Sequence, residues 1–375
     1  MVVTDVRFAP LSVEPAFPRD TEFRGLVTMA VELGLSDMPG VVPVLSGTDA
    51  PSPTFLLSRP TARRLVDARL AARGTADALE LELELCVPGG ACTSTVAACG
   101  RETPWAAVGA LLGGAAQALG VEVEPAVAAA WSRPGSADPY AELITGRAAA
   151  QLYGLSPPSL APGDRREDPV VRAVFLDPGQ PLAQWARARW EVATTVDGGK
   201  AAEALAKAQL ARPTSPLLTA DQATLAGLTG HHAESQLTWS TLAEAGWDPR
   251  WLEPLAQAQL AVGRPGEALA TLERLPAEST WDPGVAELRV TATEAAGIDE
   301  LDPLLARWQQ VASTNPEPVR RRVASRVRAR DYAAAHGLIA PLRARDPGPA
   351  TDALEVALLL SLGRLEAAAG VAPPE

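Results

Sequence analysis

Lysine is nearly absent from this chain. Lys200 and Lys207 are the two present in 375 residues, so arginine carries almost all the positive charge. Against 33 basic residues stand 45 acidic ones, for a net charge of -12. That balance excludes a general affinity for phosphate backbones, which depends on basic surface releasing counterions, and no nucleic-acid partner is expected. Long apolar runs are missing too. None approaches the roughly 18 residues of a membrane helix, so no membrane insertion is expected. The opening "MVVTDVRFAP" lacks the basic and apolar regions of a signal peptide. It reads as cytoplasmic, with a periplasmic location as the alternative for a mature form that has lost a leader.

Chemistry-bearing residues are equally sparse. Three histidines and three cysteines, Cys86, Cys92 and Cys99, form neither a disulfide framework nor a C-x2-C metal spacing. "GHHAES" sets His231 beside His232, and adjacent helical residues do not share a face. "TTVDGGKA" fails as a phosphate loop because Thr194 and Ala201 stand where glycine and a hydroxyl residue are required. Nothing assembles a nucleophile, a base and an orienting group. The chain reads as a non-enzyme with no cofactor and no metal.

What is present is periodic punctuation. Gly199, Gly230, Gly263, Gly297 and Gly363 follow apolar helical stretches at intervals of 31, 33, 34 and 66 residues, with Arg330 in the vacant slot of the double step. Pro178, Pro213, Pro249, Pro283, Pro316 and Pro347 repeat at 35, 36, 34, 33 and 31. Glycine ends a helix without a Cβ clash, and proline is tolerated in a first helical turn. The marks divide the chain into helix pairs at 183–196 with 200–211, 218–229 with 232–245, 251–262 with 265–275, 285–296 with 299–312, 318–329 with 331–344, and 351–362 with 364–370. A preceding pair joins "PYAELITGRAAAQLYG" to "VVRAVFLDP" across the Pro-rich insertion 155–168.

This period, with Gly199–Glu203–Ala204, Gly230–Glu234–Ser235 and Gly263–Glu267–Ala268 at the second-helix starts, resembles the tetratricopeptide repeat over about 138–370. Gly297–Leu301–Asp302, Arg330–Ala334–Ala335 and Gly363–Ala367–Ala368 depart from that motif. The resemblance implies an all-α superhelical solenoid of stacked pairs that binds a peptide or partner protein in a groove lined by the first helices. By position in the repeat it places Arg189, Glu253, Gln257, Glu287, Thr291, Glu294, Arg320 and Arg328 on that groove. The run "RRRVASRVRAR" offers bidentate donors for an acidic peptide. The preferred reading is a helix that pairs with neighbouring carboxylates.

Residues 1–136 read as a small α/β domain: a strand over 5–11, a helix over 21–34, a strand over 41–46, a helix over 60–73, the alternating strand "ALELELELCV", a strand "ACTSTVAAC" and a helix over 105–119. With 137–182 as a connecting segment and 183–375 as the array, the fold class is an α+β head followed by a helical solenoid. The order β-α-β-α-β-β-α resembles the amino-terminal domain of TolB, which implies an interaction module and, in the family, a periplasmic setting. If "PGG" is a three-residue hairpin loop, Cys86 faces Cys92, either as a disulfide or as two partly exposed thiols. Cys99 falls opposite Leu79 on the core face. The functional expectation is a non-catalytic interaction scaffold. The alternatives are an envelope or secretion component and a ligand-sensing head. The oligomeric state is left open.

Overall fold

A computed structural model of the chain describes residues 4–14, 20–45, 64–75, 78–87, 90–100, 104–133, 136–155, 168–191, 198–245, 249–275, 282–298 and 301–371. They form two compact units, Met1–Val262 and Gly263–Glu375. The expected boundary at 136/137 therefore falls inside the first unit. The insertion at 156–167 lies outside the described residues.

The first unit begins with an α+β head: β1 (Thr4–Phe8), β2 (Ser12–Glu14), α1 (Asp20–Ser36), β3 (Val41–Leu45), β4 (Arg64–Thr75), β5 (Ala78–Cys86), β6 (Cys92–Cys99), α2 (Trp105–Leu119) and α3 (Pro125–Trp131). The sheet runs β3-β1-β4-β5-β6, with β2 also paired to β4. The β1 strand is parallel to β3 and β4, and β4, β5 and β6 are antiparallel. Leu79, Leu81, Leu83 and Leu85 of β5 are buried while Glu80, Glu82 and Glu84 lie on the wetter face, the alternation of a half-buried strand.

The helix expected over 60–73 is a correction: residues 64–75 are a central strand. Alanine, leucine and arginine are good helix formers, but pairing on both edges overrides that preference. Leu70 lies opposite Leu83 and Ala72 opposite Leu81, while Arg69 faces Glu84 and Arg73 faces Glu80. Arg73 reaches Glu82 at 2.9 Å. The glutamate-rich face of β5 thus has a basic neighbouring strand. The element order behind the TolB resemblance changes at its fourth member.

The helices continue as α4 (Pro139–Leu152), α5 (Pro169–Leu176), α6 (Pro181–Trp190), α7 (Gly198–Ala211), α8 (Pro216–Leu228), α9 (His232–Ala245), a short 3-10 turn Pro249–Trp251 and α10 (Leu252–Ala261). One buried apolar cluster runs from Val6 through Leu33, Leu83 and Leu111 to Trp185, Leu205 and Leu225. Helices α1 and α4 cross at a glycine pair. A Cβ on Gly25 would lie 2.3 Å from the Gly146 carbonyl, and one on Gly146 2.3 Å from that of Glu22, so no larger residue fits.

In the second unit lie α11 (Pro265–Glu273), α12 (Pro283–Ala295), α13 (Asp302–Val311), α14 (Glu317–Arg328), α15 (Tyr332–Gly337), α16 (Ile339–Arg343), α17 (Pro349–Ser361) and α18 (Leu365–Val371). The helix expected over 331–344 is divided at Leu338. Along both units the chain is a tetratricopeptide-like series of helix pairs.

The corner residues share one conformation. Gly230, Gly263, Gly297 and Gly363 have φ of 86°, 78°, 69° and 71°, and Arg330, in the slot without glycine, has φ 57°. The residue after the corner donates back to a carbonyl five positions earlier: His231 to Ala226, Ile298 to Thr293, Asp331 to Arg326 and Arg364 to Leu359, at 2.8, 3.1, 2.9 and 2.9 Å. These are the Schellman bonds that satisfy a helix end. Gly199 is a correction, since α7 starts at Gly198 and places it inside the first helical turn.

A Cβ at Gly263 would meet no atom within 4 Å, so backbone conformation alone selects glycine there. A non-glycine residue in this region costs roughly 1–2 kcal/mol. Arg330→Gly is therefore expected to stabilise the chain by about 1 kcal/mol and Gly263→Ala to destabilise it by about 1 kcal/mol. Urea denaturation checks both. A loss of stability in Arg330→Gly would show that its side chain, and not its backbone, matters.

Candidate functional site

The densest buried polar chemistry lies where the head meets the first helix pairs. Helix α1 is apolar along most of its length but carries Glu32, 1% exposed, in its interior. Arg189 of α6 answers it, with two guanidinium nitrogens donating to the two Glu32 carboxylate oxygens at 3.1 Å each. Tyr153, just past α4, donates its hydroxyl to Glu32 Oε2. The Arg189 guanidinium also lies 3.6 Å from the Trp185 ring centroid, a desolvated cation–π contact. Trp185 donates its indole N–H to Asp221 of α8 at 2.9 Å.

Burial pushes the Asp221 carboxyl up to about 7, against the opposing effects of Arg189 and the Trp185 hydrogen bond. Burial, reinforced by the Glu32 charge, also raises the Tyr153 phenol, which therefore stays a neutral donor.

Two further arginines reach the carboxy-terminal end of α1. Arg212, after α7, contacts Asp37 at 3.2 Å, and Ser215 donates its hydroxyl to the same carboxylate. Burial raises the Asp37 carboxyl, with Arg212 the main opposing influence. Arg250, 5% exposed, donates to the carbonyls of Ser36, Val41 and Met38 at 3.2, 2.5 and 2.9 Å. Helix α1 has no basic residue in its last turn, so Arg250 supplies the positive charge that a helix carboxy terminus favours. Arg189 and Arg212 of the α6–α7 pair, with Arg250 of the turn before α10, thus fasten the repeats to one head helix.

Beside this junction is a cleft of about 350 Å3. Trp105, Trp131 and Leu182 line it together with Pro213, and Arg133 and Arg212 add guanidinium groups.

The positions assigned to the groove fall into two groups. Arg189 and Glu253 are each 4% exposed, and a partner cannot reach side chains so enclosed. This corrects their expected placement: Arg189 belongs to the junction. Gln257, on the same helix as Glu253, is exposed and donates to it at 3.4 Å.

In the second unit Glu287, Arg320 and Arg328 are exposed, while Thr291 and Glu294 are half-buried. Arg321 of α14 reaches Glu294 at 3.1 Å and Thr291 at 3.5 Å on α12. Three more arginines of the run also meet carboxylates. Arg322 and Arg326 converge on Asp302 at 3.2 and 2.9 Å, and Arg320 pairs with Asp346. Those guanidiniums hold Asp302 below the ordinary carboxylate range despite some desolvation.

In the head, Cys86 and Cys92 face each other across the β5–β6 hairpin with their Cα atoms 4.1 Å apart and their sulfurs bonded. Glu84 lies close to both sulfurs, but sulfurs bonded to each other are not metal ligands. Cys99 is buried opposite Leu79, and burial pushes its thiol up to about 11. Among the described residues no helix is long and apolar enough to cross a membrane.

Sequence reasoning missed the junction. Its signal was a lone glutamate inside the apolar stretch "GLVTMAVELGL", which calls for a buried cation, but nothing in the sequence says which arginine supplies it.

No protein-family profile matches the chain, and no curated protein matches it. Among solved structures it is similar to YrrB, described as a TPR protein with an unusual peptide-binding site. The TM-score there is 0.39, with 11% identity over 48% of this chain and 94% of that one. It is also similar to PilW, described as a widely conserved type IV pilus biogenesis factor, with a TM-score of 0.45 and 20% identity over 57% of this chain and 97% of that one. Likenesses at this level bear on neither partner nor pathway.

Proposed function

We propose that this chain is a non-catalytic interaction scaffold. The helix pairs present the surface that a peptide or partner protein occupies, and the head braces the first of those pairs. The observation that supports this reading is the Arg321 bridge from α14 to Thr291 and Glu294 of α12. It links these two first helices, and Glu287, Thr291, Glu294, Arg320 and Arg328 are assigned to one polar surface across them. An exposed acidic position and exposed basic ones on that surface suit an extended segment of mixed charge.

The test is quantitative capture of partners on immobilised full-length protein. Glu287→Arg combined with Arg328→Glu is expected to weaken capture at least tenfold while leaving circular dichroism unchanged. Capture that survives both this variant and Arg320→Ala with Arg328→Ala rejects the assignment.

A second reading, an envelope or secretion-associated component, is favoured by the Cys86–Cys92 bond, because such bonds persist in oxidising compartments. Alkylation of the unreduced protein from its host, followed by mass spectrometry, decides it. Modification at Cys86 and Cys92 would reject this reading.

A further inference from the structure

From Cys86 to Val121 the chain carries two charged residues, Arg101 and Glu102, although 21% of the whole sequence is charged. This stretch includes strand β6 and helix α2 on one side of the head. The sheet has two edges, and they differ. At one, β3 is five residues long and contains Pro43, which has no N–H to offer a new strand. At the other, β6 is eight residues, "CTSTVAAC", with no proline and no charge. Its outer edge pairs with no strand among the described residues. Natural edges are normally protected by shortness, proline or charge. The β3 edge has two of these protections, and β6 has none.

Helix α2 lies over β6 and β5. A Cβ on Gly114 would fall 2.2 Å from the Thr95 hydroxyl, so the helix sits directly on the edge strand. Its exposed positions are Ala106, Ala110, Gly113 and Gln117, which share one face at helical spacing. No atom lies within 4 Å of the Cβ position at Gly113.

We propose that a second copy of this chain docks here, with β6 pairing antiparallel to its own mate about a two-fold axis. Edge addition supplies backbone hydrogen bonds, and a two-fold contact must be self-complementary. A wholly neutral strand meets that condition, since no register sets like charges opposite each other. One strand further in, the glutamates of β5 would not allow it.

Spacing supports the same occupant. If α2 straddles β5 and β6, its mate lies two strand spacings away, about 9.6 Å. Helices pack at about 8–10 Å, and a face of alanine and glycine suits so close an approach.

The proposal does not rest on the scaffold reading. Its test is the molar mass of the full chain by light scattering across a dilution series, with amide exchange of residues 93–98. The expected results are a dimer with β6 amides protected at high concentration, and at least a tenfold higher dissociation constant in Val96→Lys and in Ala110→Arg. Both substitutions are at exposed sites, and circular dichroism verifies that each variant is folded. Glu287→Arg with Arg328→Glu is expected to remain dimeric. A chain that is monomeric at every concentration, a dimer indifferent to both head substitutions, or open-ended association would overturn the proposal.

Discussion

Arg189→Ala is expected to lower the unfolding free energy of the first unit by about 3–5 kcal/mol. The size follows from what the substitution leaves behind. Glu32 is 1% exposed, and without Arg189 its charge keeps only the Tyr153 hydroxyl as a partner shown at hydrogen-bond distance. The Trp185 ring loses its cation as well. Replacing both members of the ion pair is a different case, because two apolar side chains of similar volume remove the desolvation cost with the charge. Glu32→Met with Arg189→Met is expected to recover most of the loss, by urea denaturation of all three variants. A double variant no better than Arg189→Ala would show that the site depends on shape more than on charge pairing.

The second large effect is a pH dependence centred on Asp221. Its carboxyl titrates near 7 when folded, against an ordinary value of 3.8, chiefly because it is buried. The native state therefore holds a proton that the unfolded chain releases between about pH 4 and pH 7. Stability from this group is complete below about pH 4 and is lost as the pH rises through 7. Three pH units set a ceiling of about 4 kcal/mol.

Asp221→Asn keeps an acceptor for the Trp185 indole and removes the charge. It is expected to flatten the stability profile between pH 4 and 7 and to exceed the wild type by a few kcal/mol at pH 8. Asp37, raised in the same direction, leaves a residual slope. A variant less stable than the wild type at pH 8 would mean that the ionised carboxylate contributes favourably through Arg189.

The repeat was legible because its punctuation is local. A left-handed corner needs glycine or tolerates a strained residue, and the prolines stand between units, at or just before a helix start, wherever the helix later packs. Even the slot of Arg330 could be placed by counting. The β5–β6 register was equally legible, since strict alternation and one short turn leave a single pairing. Residues 64–75 were misread because their helical composition is local, while the pairing with Glu80, Glu82 and Glu84 that makes them a strand is not. Arg189 was misplaced for a related reason. Its position in the repeat reads as one facing a groove, but α1 of the head packs against it. The preferred reading of the arginine run, a helix pairing with neighbouring carboxylates, holds for Arg320, Arg321, Arg322 and Arg326, whose partners Asp346, Glu294 and Asp302 are distant in sequence.

The central claim is that the head and the first helix pairs form a single cooperative body fastened by arginines. Native-state amide exchange of the full chain tests it most directly. If the claim holds, the slowest amides of α1, α6 and α8 share one opening free energy, and Arg189→Ala lowers all three by the same amount. Exchange that accelerates in α6 and α8 while α1 keeps its protection would contradict it.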